Sequence, residues 1–171
     1  MDSATVREAF KRQNHAALAT LRQIIDECPP EVWTQGEHPR TFWRQLFHAA
    51  GYAHLYLYSN LQAWQRWPKH RVDCTYLDGE AEVVEPYTQA EMREFVDLID
   101  SEVDAQIDSL DLDEPHCGYN WYPGVSRFEL LILSLRHLHG HIGQLDELLR
   151  PHGIDIEWRG EYSPRELDAC R

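Results

Sequence analysis

Residues 126–149 read SRFELLILSLRHLHGHIGQLDELL and carry the clearest helix pattern in the chain. Ser126 and Glu129 match a capping box, in which the two side chains satisfy amides of the first helical turn. Leucine and isoleucine then recur at intervals of three and four, the period of one helix face. Pro151 and Gly153 follow, and both residue types are common just after helices. The segment predicts a strongly apolar helix that ends near Leu149.

Three further helices are predicted from similar signals upstream. Capping boxes also begin at Thr5 and Thr88, and Thr41 can cap another apolar-periodic segment. With the helix above, the predicted helices run from Thr5 to before Pro29, from Thr41 to about Leu61, from Thr88 to Leu110, and from Ser126 to about Leu149. These four long helices predict an all-α fold, a four-helix bundle.

The connections bear on the topology of that bundle. The stretch from Gln62 to Tyr87 lacks clear periodicity, and a loop this long usually crosses a bundle or covers a site. If it runs the length of the bundle, the second and third helices are parallel, which gives an up-down-down-up arrangement. Val83–Val84 is compatible with a short strand. A box at Ser163–Glu166 predicts a short terminal helix within a tail, Gly153–Arg171, that packs outside the bundle.

Composition and charge limit the class of protein. The 171 residues are 43% hydrophobic and 26% charged, which is typical of a single globular domain spanning residues 1–171. The formal net charge of −13 argues against a nucleic-acid partner, which needs a cationic face. A local basic patch, Arg66 to Arg71, is interpreted as a solvated loop. No apolar segment is long enough to predict a membrane span, and Met1–Phe10 lacks the apolar core of a signal peptide.

The cysteines are scattered at Cys28, Cys74, Cys117 and Cys170, with no CxxC pair. Free thiols in a reducing cytoplasm are the simplest interpretation, so we expect a cytoplasmic protein. Cys117 has no identifiable partner base, and a structural thiol is the favoured interpretation.

The last predicted helix places two histidines for a shared ligand. His137 and His141 are four residues apart, so their side chains project from one face, one turn apart. His139 lies about 200° around the helix from His137 and is expected to face solvent. The pair alone is also compatible with a merely histidine-rich helix. A catalytic zinc site needs a third protein ligand from elsewhere in the chain.

The second predicted helix offers two candidates for that third ligand, His48 and His54. Small residues surround His48, so another helix can approach closely there. The two histidines point roughly 120° apart, so only one is expected to join the site. Position alone leaves the choice open.

Together these patterns resemble the DinB/YfiT-like family of metal-dependent proteins over roughly Thr5 to Arg150. The matching motifs are His48 in the second helix, the His137-to-His141 pair followed by Gly143-Gln144, and the Ser126–Glu129 cap. The resemblance implies a metal site made by His48, His137 and His141. It also implies a transferase or isomerase that activates a low-molecular-weight thiol against a small-molecule substrate.

The resemblance leaves several points open. Zinc is the first choice of metal, and nickel, manganese or iron are compatible because imidazole ligands discriminate poorly. Gln144 is assigned either to a ligand contact or to the surface. The alternatives to an enzyme are a non-catalytic metal- or ligand-binding protein and a dimerisation module. A two-fold homodimer is expected, and a monomer seen by light scattering at micromolar concentration would contradict it.

The segments before the third and fourth helices are unusually aromatic. Their rings are interpreted either as plugs for the ends of the bundle or as walls of an apolar substrate pocket. The residues concerned are Trp64, Trp67, Tyr76, Tyr119, Trp121 and Tyr122.

Overall fold

The computed structural model describes residues 2–79 and 81–160, and five α-helices lie within them. These are α1 (Ser3–Glu27), α2 (Pro30–Trp33), α3 (Phe42–Tyr56), α4 (Gln89–Ser109) and α5 (Arg127–Leu149), with single 3-10 turns at Val72–Cys74 and Arg150–His152. No strand occurs in these ranges, so the all-α prediction is confirmed and Val83–Val84 does not form a strand. The helix predicted near Ser163–Glu166 lies outside the described residues. None of the described helices combines the length and apolar character needed to cross a membrane.

The helix caps confirm two predictions and correct a third. Thr88 and Ser126 both form complete capping boxes, so α4 and α5 begin where the sequence predicts. Helix α1 instead begins at Ser3, because the Asp2 carboxylate accepts a hydrogen bond from the Thr5 amide at 2.8 Å. A carboxylate caps well at this position, since the amino end of a helix favours negative charge.

The helix predicted from Thr41 is shorter than expected. Its first residue is Phe42, and it ends at Tyr56 rather than near Leu61. The amides of Leu57 and Tyr58 donate to carbonyls three residues back, which tightens the final turn. The Asn60 side chain then accepts from the next two free amides, those of Gln62 and Ala63. Such side-chain bonds compete with helix continuation.

The core is formed where the four long helices meet. Helix α1 packs against α4 and α5, and α3 packs against the same two helices. Phe47 of α3 and Phe95 of α4 are fully buried, with ring centroids 5.8 Å apart. Trp67, from the long connection between α3 and α4, stacks on Phe95 at 4.8 Å. The connection therefore supplies part of the core and packs against α4 through Trp67.

Three of the four cysteines lie in the described part of the chain. Cys28, Cys74 and Cys117 are buried free thiols. The Cys117 thiol lies 3.6 Å from the carbonyl oxygen of Tyr119 and 3.5 Å from that of Tyr122, so it holds a loop together.

A pH-dependent contact joins α1 to α4. His15 lies 2.6 Å from Asp100 and 3.1 Å from Asp104, and the Asp100 hydrogen bond is the largest cause of a raised His15 pKa. A histidine whose pKa is raised by folding stabilises the protein fully below its unfolded value of about 6.5. That contribution is lost as the pH rises through the folded-state pKa.

We therefore expect His15→Gln to lower the free energy of unfolding more at pH 5.5 than at pH 9. Urea denaturation of both proteins at the two pH values measures the difference. His116→Gln, in an exposed loop, is the matched control and should show little effect at either pH. Equal losses for His15→Gln at both pH values would contradict the assignment.

Candidate metal centre

Three histidines from two helices converge at one point. His48 comes from α3, and His137 and His141 come from α5; one ring nitrogen of each lies within 4.8 Å of the others. The closest pair is His48 Nε2 and His137 Nε2, at 3.1 Å. The ring centroids of His141 lie 4.8 Å from His48 and 4.7 Å from His137. The three residues named from the sequence are therefore close enough to bind one metal ion.

Small side chains let the two helices approach at this level. Ala49 and Ala50 are fully buried beside His48. Gly140 of α5 is not part of this contact, because a Cβ added to it would meet no neighbouring atom within 4 Å. With little bulk between the helices, imidazole rings fill the space, and the four-residue spacing of His137 and His141 stacks them one turn apart.

The backbone carbonyl of Thr75 fixes the state of His48. His48 Nδ1 lies 2.6 Å from that oxygen. Because a carbonyl only accepts hydrogen bonds, Nδ1 carries the ring proton and Nε2 presents its lone pair to the other two histidines. Metal-binding histidines are commonly oriented in this way by a carbonyl on the other ring nitrogen.

Burial keeps all three rings neutral at pH 7. Loss of hydration lowers the pKa of His48 and of His137 to about 4, and it also lowers the pKa of His141. Neutral imidazole is the form that binds metal, so protons compete weakly with an ion here. The Nδ1 atoms of His137 and His141 are buried without a hydrogen-bond partner among the described residues. Such unmet capacity is uncommon in cores and is expected at binding sites.

The nitrogen spacing is compatible with a tetrahedral ion. Two imidazole nitrogens on one zinc, each at about 2.0–2.1 Å, lie about 3.3 Å apart. The observed 3.1 Å between His48 and His137 is close to this value. One ring nitrogen of His141 lies within 4.8 Å of both of these atoms. The cluster contains no carboxylate, so a divalent ion held here would keep its full charge and have room for a further ligand.

The other two candidate histidines do not belong to the cluster. His54 is fully buried, with Nε2 2.9 Å from Glu102 and Nδ1 accepting from the Trp64 indole at 3.1 Å. Both of its ring nitrogens are thus used within the core. His139 lies on another face of α5, as predicted. Its side chain is less exposed to solvent than the sequence predicts. It is half-buried, because Trp158 of the tail lies over it at 6.0 Å.

The centre is reached through openings on either side of it. One, of about 280 Å³, is lined by His48 and His141 together with Arg40, Tyr52 and Tyr76. The other, of about 380 Å³, lies against His137 and His141 and includes Gln144. Gln144 is exposed and lines this opening, so it is a surface residue at the edge of the site.

Sequence reasoning missed several of these residues. Tyr52, whose ring lies 4.8 Å from His48 and 5.5 Å from His137, is one helical turn beyond His48 and was detectable from that spacing. Thr75 contributes only its backbone, and Arg40 precedes α3 without any motif. The aromatic residues divide into three groups, of which one, Trp64 and Tyr122, is half-buried. Trp67 and Tyr119 are buried plugs, whereas Tyr76 and Trp121 are 54% and 44% exposed.

Comparison with protein-family models, curated proteins and solved structures found no match for this chain. The functional interpretation therefore depends on the geometry of the three histidines and their surroundings.

Proposed function

We propose that His48, His137 and His141 bind a divalent metal ion and that the chain is a metal-dependent enzyme, a thiol-dependent transferase or isomerase. The observation that carries the proposal is the convergence of three neutral imidazoles, one of them oriented by the Thr75 carbonyl. Zinc is the first choice, and nickel, manganese or iron are compatible with the nitrogen donors.

A bound divalent ion would supply Lewis acidity that stabilises a low-molecular-weight thiol as thiolate, the form that attacks electrophiles. Three neutral ligands favour an anionic partner such as this. Arg40 and Asp78 both line the opening, so a guanidinium and a carboxylate border the approach to the histidines. Burial raises the pKa of Tyr52, so its hydroxyl stays protonated and can donate a hydrogen bond to a molecule in the opening.

Metal and thiol binding can be tested together. Protein purified without a histidine tag is expected to contain stoichiometric metal. After replacement by cobalt(II), addition of 2-mercaptoethanol is expected to produce a sulfur-to-cobalt charge-transfer band in the near ultraviolet. A metal that shows no response to thiol would instead indicate a non-catalytic metal-binding protein. Absence of any metal would favour an interaction module.

Membership of the DinB/YfiT-like family is part of the proposal. Convergence of His48 with the His137-to-His141 pair supports it, because these are the positions that the resemblance names. The tertiary contacts support an up-down-down-up bundle. Arg22 contacts Asp97 while Lys11 contacts Asp108, the order expected of antiparallel α1 and α4. Phe47 meets Phe95 and His54 meets Glu102, the order expected of parallel α3 and α4.

The remaining parts of the proposal concern partners and location. We propose a small-molecule substrate, no nucleic-acid or membrane partner, a cytoplasmic location and a two-fold homodimer. Phe128 and Ile132, one turn apart on α5, are 40% and 47% exposed and could be buried between subunits.

A further inference from the structure

A second cavity, of about 350 Å³, lies beside the proposed metal centre. This volume is within the range of small-molecule sites. Its walls are mainly aromatic and aliphatic side chains of α3 and of the two long connections; they include Tyr52, Leu55, Trp64, Tyr76 and Trp121. None of the three clustered histidines lines it.

Shared residues connect this cavity to the metal centre. Tyr52 and Tyr76 line both the cavity and the opening at His48 and His141. Thr75, whose carbonyl orients His48, also lines the cavity. A molecule in the cavity would therefore lie next to any ligand held by the histidines.

Gly51, in the middle of α3, leaves space in the cavity that a larger side chain would fill. Gly51 lines the cavity, and a Cβ added to it would meet no atom within 4 Å. Glycine inside a helix is destabilising relative to alanine. Close packing against a neighbour would explain a glycine here, but Gly51 has room for a side chain. Open space at this position is compatible with an occupant that is not part of the protein.

The cavity also carries local positive charge on an acidic protein. The Arg66 guanidinium lies 5.3 Å from the Trp64 ring centroid and makes no ion pair within residues 2–79 and 81–160. His70 lines the same cavity, and its buried Nδ1 lacks a hydrogen-bond partner there. Arg66 and Lys69 of the basic patch are exposed, as the solvated-loop interpretation predicts. Lys69 pairs with Glu94, whereas Arg66 and His70 are positioned to meet a ligand.

We propose that this cavity binds a planar aromatic organic anion, with its ring between the Trp64 and Trp121 walls and its anionic group at Arg66. This inference rests on the proposed function, since it identifies the class of substrate that the metal centre would act on. Flat rings suit aromatic walls, and a guanidinium is well suited to carboxylate or sulfonate groups.

The test uses 2-naphthalenesulfonate and its neutral analogue 2-naphthol, titrated calorimetrically into the zinc-loaded full chain. The sulfonate is expected to bind wild type more tightly than 2-naphthol does. Gly51→Leu should fill the cavity and weaken sulfonate binding by tenfold or more. Arg66→Gln should weaken sulfonate binding roughly tenfold and leave 2-naphthol binding nearly unchanged.

Matched variants make each outcome decisive. Gly143→Leu makes the same change on α5, where a Cβ also meets no atom but a different cavity is lined, and it should bind the sulfonate like wild type. Gly51→Ala should raise Tm, showing that α3 tolerates side chains there. No binding to wild type, or equal affinities for wild type and Gly51→Leu, would overturn the inference. His141→Ala should still bind the sulfonate, so a failure of zinc binding and a failure of this cavity are separable.

Discussion

Replacement of His141 by Ala is expected to abolish stoichiometric zinc binding and, with it, any thiol-transfer activity. The variant leaves only His48 and His137 at the centre, and two imidazoles do not complete a catalytic site. The zinc affinity should fall by more than a hundredfold, because loss of an outer hydrogen-bond partner alone typically costs about 10- to 100-fold. Alanine is the best helix former, so α5 should remain helical. Metal analysis, circular dichroism and turnover measure the three effects.

His139→Ala is the matched control for this prediction. Both residues are half-buried histidines on the same helix, two positions apart, but His139 lies against Trp158 rather than against the cluster. Its loss should leave zinc content and activity near wild type. If the two variants behave alike in metal content, melting and turnover, the proposed site is wrong.

Melting with and without zinc separates a catalytic site from a structural one. A ligand that binds only the folded state raises the free energy of unfolding by an amount that grows with the logarithm of its affinity. At a catalytic site on a preformed bundle, removing zinc from wild type should lower Tm only slightly, and His141→Ala should melt near metal-free wild type. At a structural site, metal-free wild type and His141→Ala should both melt far below zinc-loaded wild type, since metal binding would supply folding energy.

The start of a helix could be predicted from sequence where all the capping residues lie close together in the chain. The Thr88 and Ser126 boxes each lie within four residues, and both caps form as predicted. The start of α1 was missed because the carboxylate of Asp2, just upstream, accepts the Thr5 amide that the predicted box assigned to Glu8. The end of α3 was missed because Asn60 competes for backbone amides, and apolar periodicity does not report such competition.

The metal centre was predictable only in part, for similar reasons. His137 and His141 are neighbours through helix geometry alone, which spacing reveals. The choice of His48 over His54 came from the resemblance, because the partner that engages His54 is Glu102 of α4, distant in sequence. Thr75 and Arg66 belong to the long connection between α3 and α4. Nothing local fixes where that connection packs, so their contacts could not be predicted.

Arg44 anchors that connection, and its replacement should have the largest effect on stability. The side chain is only 1% exposed, yet it pairs with no carboxylate in the described chain. Instead it donates to the backbone carbonyls of Glu82, at 2.8 Å, and of Asp73. These carbonyls come from two separate parts of the connection, so one guanidinium holds both parts against α3.

Arg44→Met is expected to lower the free energy of unfolding by about 2–4 kcal/mol, because it keeps apolar bulk but leaves two carbonyls without a donor. Zinc affinity should fall about 10- to 100-fold as well, since Asp73 is two residues from Thr75, whose carbonyl orients His48. Urea denaturation and zinc titration measure the two effects.

Two further variants test whether Arg44 stabilises the connection by donating hydrogen bonds to two carbonyls at once. Arg44→Lys should restore part of the stability but less of the zinc affinity, because an ammonium cannot span two carbonyls as a guanidinium does. Arg12→Met, the same change at an exposed position of α1, should alter stability by less than about 0.5 kcal/mol. If Arg44→Met loses no more stability than Arg12→Met, the connection is held by its buried rings, chiefly Trp67, rather than by Arg44.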